Sequence, residues 1–216
     1  MSGTVTLEWD GEAVSGVAEG AGPLGVLLAH GAGTDQHHPS IAGIRTGLAR
    51  GGLRVLSFNY PYTERGSRSP DRQERLLACH RAASDRLAVE VDRLFLAGRS
   101  MGGRMGTYLA AEGYPAAGLV LYAYPLHPAG KPEKLRIEQF ESITQPMLFF
   151  QGTNDALSRM DLFDRHIRPL PNAEVELLED AGHGYRGGGW DLESVTDRYV
   201  RGTLGWIERL SSGASP

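Results

Sequence analysis

The stretch Leu94-Phe95-Leu96-Ala97-Gly98-Arg99-Ser100-Met101-Gly102-Gly103 sets a short apolar run directly against a serine framed by glycines. Four consecutive apolar residues without alternation suit a strand covered on both faces, as in a parallel sheet lying between helices. The residues that follow, through Glu112, carry helical patterning and are stopped by Gly113 and Pro115. The serine therefore falls at a strand-to-helix turn. Glycines belong there because side chains at the flanks would collide with neighbouring backbone, while the tight turn exposes the hydroxyl.

With 29 glycines in 216 residues, a Gly-x-Ser-x-Gly is weak evidence by itself, so the rest of the chain must supply context. Short apolar runs predict further strands at Val26 to Ala29, Arg54 to Phe58, Gly118 to Tyr122, Pro146 to Gln151 and Ala173 to Leu178. An opening that fits two short antiparallel strands precedes them. Helical patterns fall between, at Ile41 to Ala49, Asp71 to Ala88, Asp161 to Ile167 and Leu192 to Leu210, with a shorter one at Pro132 to Phe140. This alternation predicts an α/β fold with a mostly parallel central sheet flanked by helices. No internal repeat or linker interrupts it, so residues 1–210 read as a single domain and 211–216 as a disordered tail. Only Ala123 to Gln145 separates two of the strands, too little for a helical cap domain.

Composition narrows the function classes. A formal charge of −4 and a pI near 6.0 leave no basic footprint, which argues against nucleic acid as a partner. The lone cysteine, Cys79, rules out an intrachain disulfide and a thiolate metal cluster and suggests a reducing, cytoplasmic setting. The first residues lack a basic start followed by an apolar core, and no apolar run approaches the roughly 20 residues that span a bilayer. Neither secretion nor a membrane is expected. No metal and no cofactor is implied, and the oligomeric state is not legible.

A hydroxyl at neutral pH is a poor nucleophile and needs a base held in one tautomer by a carboxylate. After the run Met147-Leu148-Phe149-Phe150-Gln151 comes Gly152-Thr153-Asn154-Asp155, which places Asp155 just beyond a buried strand. After Val175-Glu176-Leu177-Leu178 a loop leads to His183, flanked by Gly182 and Gly184. Ser100, Asp155 and His183 are thus expected as nucleophile, acid and general base, each at a strand's carboxyl end. The oxyanion of acyl transfer needs fixed N–H donors. Met101, next to the nucleophile, supplies one; the small-residue loop His30-Gly31-Ala32-Gly33, after Val26 to Ala29, supplies the other from Ala32 or, second, Gly33. His30 reads as structural.

Together these residues resemble the α/β-hydrolase superfamily over nearly the whole chain. The segments Leu28 to Gly33, Phe58-Asn59-Tyr60-Pro61-Tyr62, Gly98 to Arg104 and Tyr124-Pro125-Leu126-His127-Pro128 are similar to a small dienelactone-hydrolase-related subfamily. That subfamily includes bacterial proteins, the hydrolase-like domain of a subunit of the NSL histone-acetyltransferase complex, and a testis-expressed relative. The resemblance implies a Ser-Asp-His triad acting on a small-molecule acyl substrate. Dienelactone hydrolase itself carries cysteine at the elbow, where this chain has Ser100, which argues against that enzyme's own reaction.

An uncapped site predicts an open pocket suited to short acyl esters, cleaved as by a carboxylesterase or thioesterase. The alternative is a hydrolase-fold interaction module with little turnover. Tyr60, Tyr124, Leu126 and His127, each shortly after a strand end, are expected to line the pocket. Arg65, Arg68, Arg72 and Arg75 read first as a solvated basic loop, with anion binding as the other possibility; Arg99 and Arg104 read first as structural ion-pair partners.

Overall fold

The computed structural model describes residues 2–184 and 186–212. Eight strands form one sheet in the order β1-β2-β4-β3-β5-β6-β7-β8. They are β1 Ser2–Trp9, β2 Glu12–Glu19, β3 Leu24–Ala29, β4 Arg54–Phe58, β5 Arg93–Arg99, β6 Gly118–Tyr122, β7 Met147–Gly152 and β8 Ala173–Leu178. β1 and β2 form an antiparallel hairpin, and β2 joins β4 antiparallel. From β4 to β8 every neighbouring pair is parallel. Asp10 and Gly11 make the hairpin turn with φ of 47° and 77°, the positive values that a two-residue turn between twisted strands requires.

Among the described residues six helices flank the sheet: α1 Pro39–Arg50, α2 Pro61–Glu64, α3 Gln73–Ala88, α4 Met101–Ala111, α5 Met160–His166 and α6 Leu192–Ser212. The pleat splits each parallel strand between two cores. In β3, Leu27 and Ala29 face the cluster holding Leu76, Cys79 and Leu87 of α3 and Met105 and Leu109 of α4. Val26 and Leu28 face Ile41, Ile44 and Leu48 of α1 and Val195, Tyr199 and Trp206 of α6. Both faces being covered explains why these strands show no polar alternation in sequence. Each fully buried aliphatic side chain contributes roughly 1.5–3 kcal/mol, so β3, with Val26, Leu27, Leu28 and Ala29 at 0% exposure, anchors the sheet.

Several boundaries differ from the sequence expectation. The helix expected from Asp71 begins at Gln73, because Arg72 at its N-cap is extended, with ψ of 153°. The expected Pro132 to Phe140 helix is instead a 3₁₀ turn over Glu138–Ser142, consistent with the poor helix-forming run around Pro128, Gly130 and Pro132. α2 was not anticipated. The last helix runs on to Ser212, taking Ser211 and Ser212 out of the expected tail; the rest of that tail, 213–216, lies outside the described residues. Between β6 and β7 the chain forms no helical lid. β4 and β5 leave β3 on opposite sides, so a crevice opens at the carboxyl ends of β3 and β5, where ligands bind in open α/β sheets.

Candidate active site

Ser100 is the N-cap of α4, between β5 and α4, with φ 51° and ψ −113°. Such a conformation costs a non-glycine residue on the order of 1–3 kcal/mol. The surrounding backbone enforces it. A Cβ on Gly98 would lie 2.4 Å from Gly102 C and Gly103 N, and one on Gly102 would lie 2.5 Å from Ala29 O. The two glycines that frame the serine therefore let strand, turn and helix close on one another.

The loops after β7 and β8 bring the other two residues to it. His183 Nδ1 donates to Asp155 Oδ2 at 2.8 Å, and Ser100 Oγ donates to His183 Nε2 at 2.9 Å. The carboxylate can only accept, which fixes the proton on Nδ1 and leaves Nε2 as the acceptor for the serine. Asp155 is buried, and its oxygens are held: Oδ2 also accepts from Gln151 Nε2 at 3.0 Å, and Oδ1 accepts from Leu157 N–H at 2.8 Å. Arg99 Nη2 donates to the His183 carbonyl at 2.6 Å, tethering the His183 loop to β5, the strand that leads into Ser100. Arg99 is thus a loop anchor. Sequence reasoning passed over Gln151, although a glutamine ending an apolar strand just ahead of an aspartate is a readable signal for a buried polar partner.

A cavity of about 290 Å³ opens onto Ser100 and is lined by Ala32, Met101, Leu76, Pro125, Leu157 and Arg136, among others. Met101 and Ala32 both reach its wall, at the N-terminal end of α4, where free N–H groups and the helix dipole favour negative charge. Gly33, with φ of 72°, lies one residue beyond and is not on the wall. His30 shapes this loop. Its Nδ1 donates to Gly31 O at 2.8 Å and its Nε2 accepts from Tyr60 N–H at 3.2 Å. Burial pushes its pKa down to about 4, so it stays neutral.

The four residues expected to contact substrate do not line the cavity. Tyr60 is fully buried, with its hydroxyl 2.9 Å from His80 Nδ1. Tyr124 is buried against Phe140 and Phe149, and its hydroxyl donates to Arg136 O at 2.8 Å. Leu126 is at 0% exposure, and His127 is held between Pro128 O and Arg159 N–H. The strand end brings the loop to the cavity, but these side chains turn back into the core and hold the loop's shape. Their neighbours Pro125 and Arg136 form the wall instead. In the basic loop, Arg65 and Arg75 are both partnered by carboxylates, Asp71 and Glu12. Among the described residues no group of three or more His, Cys, Asp or Glu is placed to hold a metal ion, and no helix is long and apolar enough to cross a membrane.

Comparison with known proteins gives the arrangement a context. A family model described as an alpha/beta hydrolase domain matches residues 23–207. Among solved structures, Est1E from Butyrivibrio proteoclasticus superposes with a TM-score of 0.76 at 16% identity, covering 95% of this chain and 99% of that one. XC6422 from Xanthomonas campestris, described as a serine hydrolase without a lid, gives 0.74 at 20% identity over 95% and 94%. Esterase 2 of Thermogutta terrifontis, phosphonylated by cyclosarin, gives 0.71 at 17% over 97% and 94%. At such identities the likeness is one of fold.

Proposed function

The chain belongs to the alpha/beta hydrolase domain family, and we propose from that premise that it is a serine hydrolase cleaving small acyl esters or thioesters through Ser100, His183 and Asp155. The observation that carries this reading is the unbroken hydrogen-bonded series from Asp155 Oδ2 through His183 to Ser100 Oγ, opening onto a cavity. The same series weighs against an interaction module without turnover.

The chemistry follows from the geometry. Ser100 Oγ gives its proton to His183 Nε2 and attacks the acyl carbonyl, whose oxygen takes up negative charge facing the Met101 and Ala32 N–H groups. Collapse of the tetrahedral species expels the alcohol or thiol, which receives the proton from His183. Water then gives a proton to His183 and attacks the acyl-enzyme, freeing the acid and restoring Ser100. Asp155 orients the imidazole and stabilises its charged form in each half-reaction. Each oxyanion donor is worth about 10²–10³ in kcat. A cavity of about 290 Å³ favours short acyl groups over long lipid chains. The segments Leu28 to Gly33 and Gly98 to Arg104 keep the narrower likeness to dienelactone-hydrolase-related proteins within this proposal, with serine as the attacking atom's residue. The sparing use of cysteine, one in the chain, fits a reducing compartment.

Pre-steady-state hydrolysis of 4-nitrophenyl acetate tests the reading. A nitrophenolate burst stoichiometric with the chain is expected, followed by slower turnover, and no burst from Ser100→Ala. Hydrolysis by Ser100→Ala at the native rate would overturn it.

A further inference from the structure

Two arginines, Arg104 and Arg136, line the cavity at Ser100. Arg104 stands on α4 one turn beyond the nucleophile, its N–H donating to Ser100 O at 3.0 Å. Arg136 comes from the β6–β7 connection, fixed by its N–H donating to Leu126 O at 2.9 Å and by the Tyr124 hydroxyl donating to its carbonyl at 2.8 Å. Among the described residues neither side chain lies within ion-pairing distance of a carboxylate. Arg104 Nε is buried without a partner, and Arg136 Nη1 makes one long bond, 3.4 Å, to Pro125 O. Four other arginines, Arg45, Arg54, Arg81 and Arg209, each pair with a glutamate. Burial and the nearby Arg104 charge both push the Arg136 pKa down, the mark of a cation lacking its counterion.

The third charged wall residue is Asp71. Its Oδ1 lies 2.5 Å from Arg65 Nη2 and 3.7 Å from Arg75 Nη1, so its charge is already balanced outside the cavity. Its Oδ2 is buried without a partner. A carboxylate on the wall disfavours a dianion, and the planar guanidinium fork matches a carboxylate.

We propose that Arg104 and Arg136 form a carboxylate subsite, so that the substrate is the monoester or monothioester of a short dicarboxylic acid, bound with its free carboxylate on the two guanidiniums and its ester carbonyl at Ser100. The proposal rests on the assignment of Ser100 as nucleophile. Hydrolysis then consumes one water, breaks the acyl C–O or C–S bond, and yields the dicarboxylate and the alcohol or thiol.

The test compares kcat/KM for mono-4-nitrophenyl pimelate with that for its methyl-capped diester, which has the same chain and no charge. Charged hydrogen bonds of this kind predict a preference of about tenfold or more for the free acid in the native chain. Arg136→Gln and Arg104→Met should each erase most of that ratio, and Arg136→Lys should keep part of it. Because the ratio is read within one protein, a partly destabilised variant still reports. Equal kcat/KM for the two esters in the native chain overturns the subsite. A binding readout separates this from failure of the nucleophile. Monomethyl pimelate should raise the melting temperature where dimethyl pimelate does not, an effect diminished in Arg136→Gln. If neither ester is hydrolysed, that shift still supports the subsite while the hydrolase reading falls; absence of the shift overturns the subsite.

Discussion

His183 sits in a loop with its side chain 22% exposed, a carboxylate on one ring nitrogen and a hydroxyl on the other. His30 and His80 are wholly buried among Phe58, Tyr60 and Tyr62. Their partners are a carbonyl, an amide, a threonine hydroxyl and a phenol, none of them charged. Burial pushes their pKa values down to about 4 and about 3. The same side chain is thus equipped for proton transfer in one network and locked neutral in the other. A histidine that must become imidazolium during a reaction needs a carboxylate and an open face. One packed in an aromatic wall behind the His30-to-Gly33 loop needs to stay uncharged.

Substitutions should separate the two networks. Ser100→Ala or His183→Ala is expected to lower kcat by about 10⁴-fold or more, with a melting temperature near that of the native chain; loss of folding with loss of activity would break the distinction. Asp155→Asn should cost about 10⁴-fold in kcat by permitting the wrong tautomer, measured on the same ester. His80→Ala should do the opposite. Removing a buried ring costs about 2–4 kcal/mol of stability by denaturant titration, while the folded fraction retains turnover within a few-fold.

Acid should expose the silent network as well. The folded-state pKa values of His30 and His80 lie below the unfolded value near 6.5, so the unfolded chain binds more protons in that window. The stability these groups contribute is present above about pH 6.5 and is lost as pH falls through 4 and toward 3. Urea midpoints across this range should drop, and drop less in His80→Leu. The smallest effect belongs to Gln151→Leu, which removes one hydrogen bond to the Asp155 carboxylate. About tenfold in kcat is expected, seen in the ester assay with little change in KM.

Much of this arrangement was legible because strand ends and chain order are one-dimensional. Ser100, Asp155 and His183 each follow an apolar run, and parallel strands must deliver their carboxyl ends to one side of the sheet. What was not legible is side-chain direction within a loop. Tyr60, Tyr124, Leu126 and His127 arrive near the cavity and turn inward, Leu126 into the apolar core and the other three onto hydrogen-bond partners there. Arg136 reaches the wall from an irregular connection whose path is set by non-periodic pairings within it, such as Arg136 N–H to Leu126 O. Arg104 was readable as a residue one turn beyond the serine, but its lack of a carboxylate partner only appears once the fold is closed. α2, at four residues, is too short to leave a periodic signal.

The most direct test of the central claim is intact mass of the chain after exposure to a fluorophosphonate, with peptide mapping of the adduct. One adduct per chain is expected, on Ser100, formed at least 100-fold more slowly in His183→Gln for want of a base. An adduct on any other residue, or equal labelling of Ser100→Ala, would contradict the account.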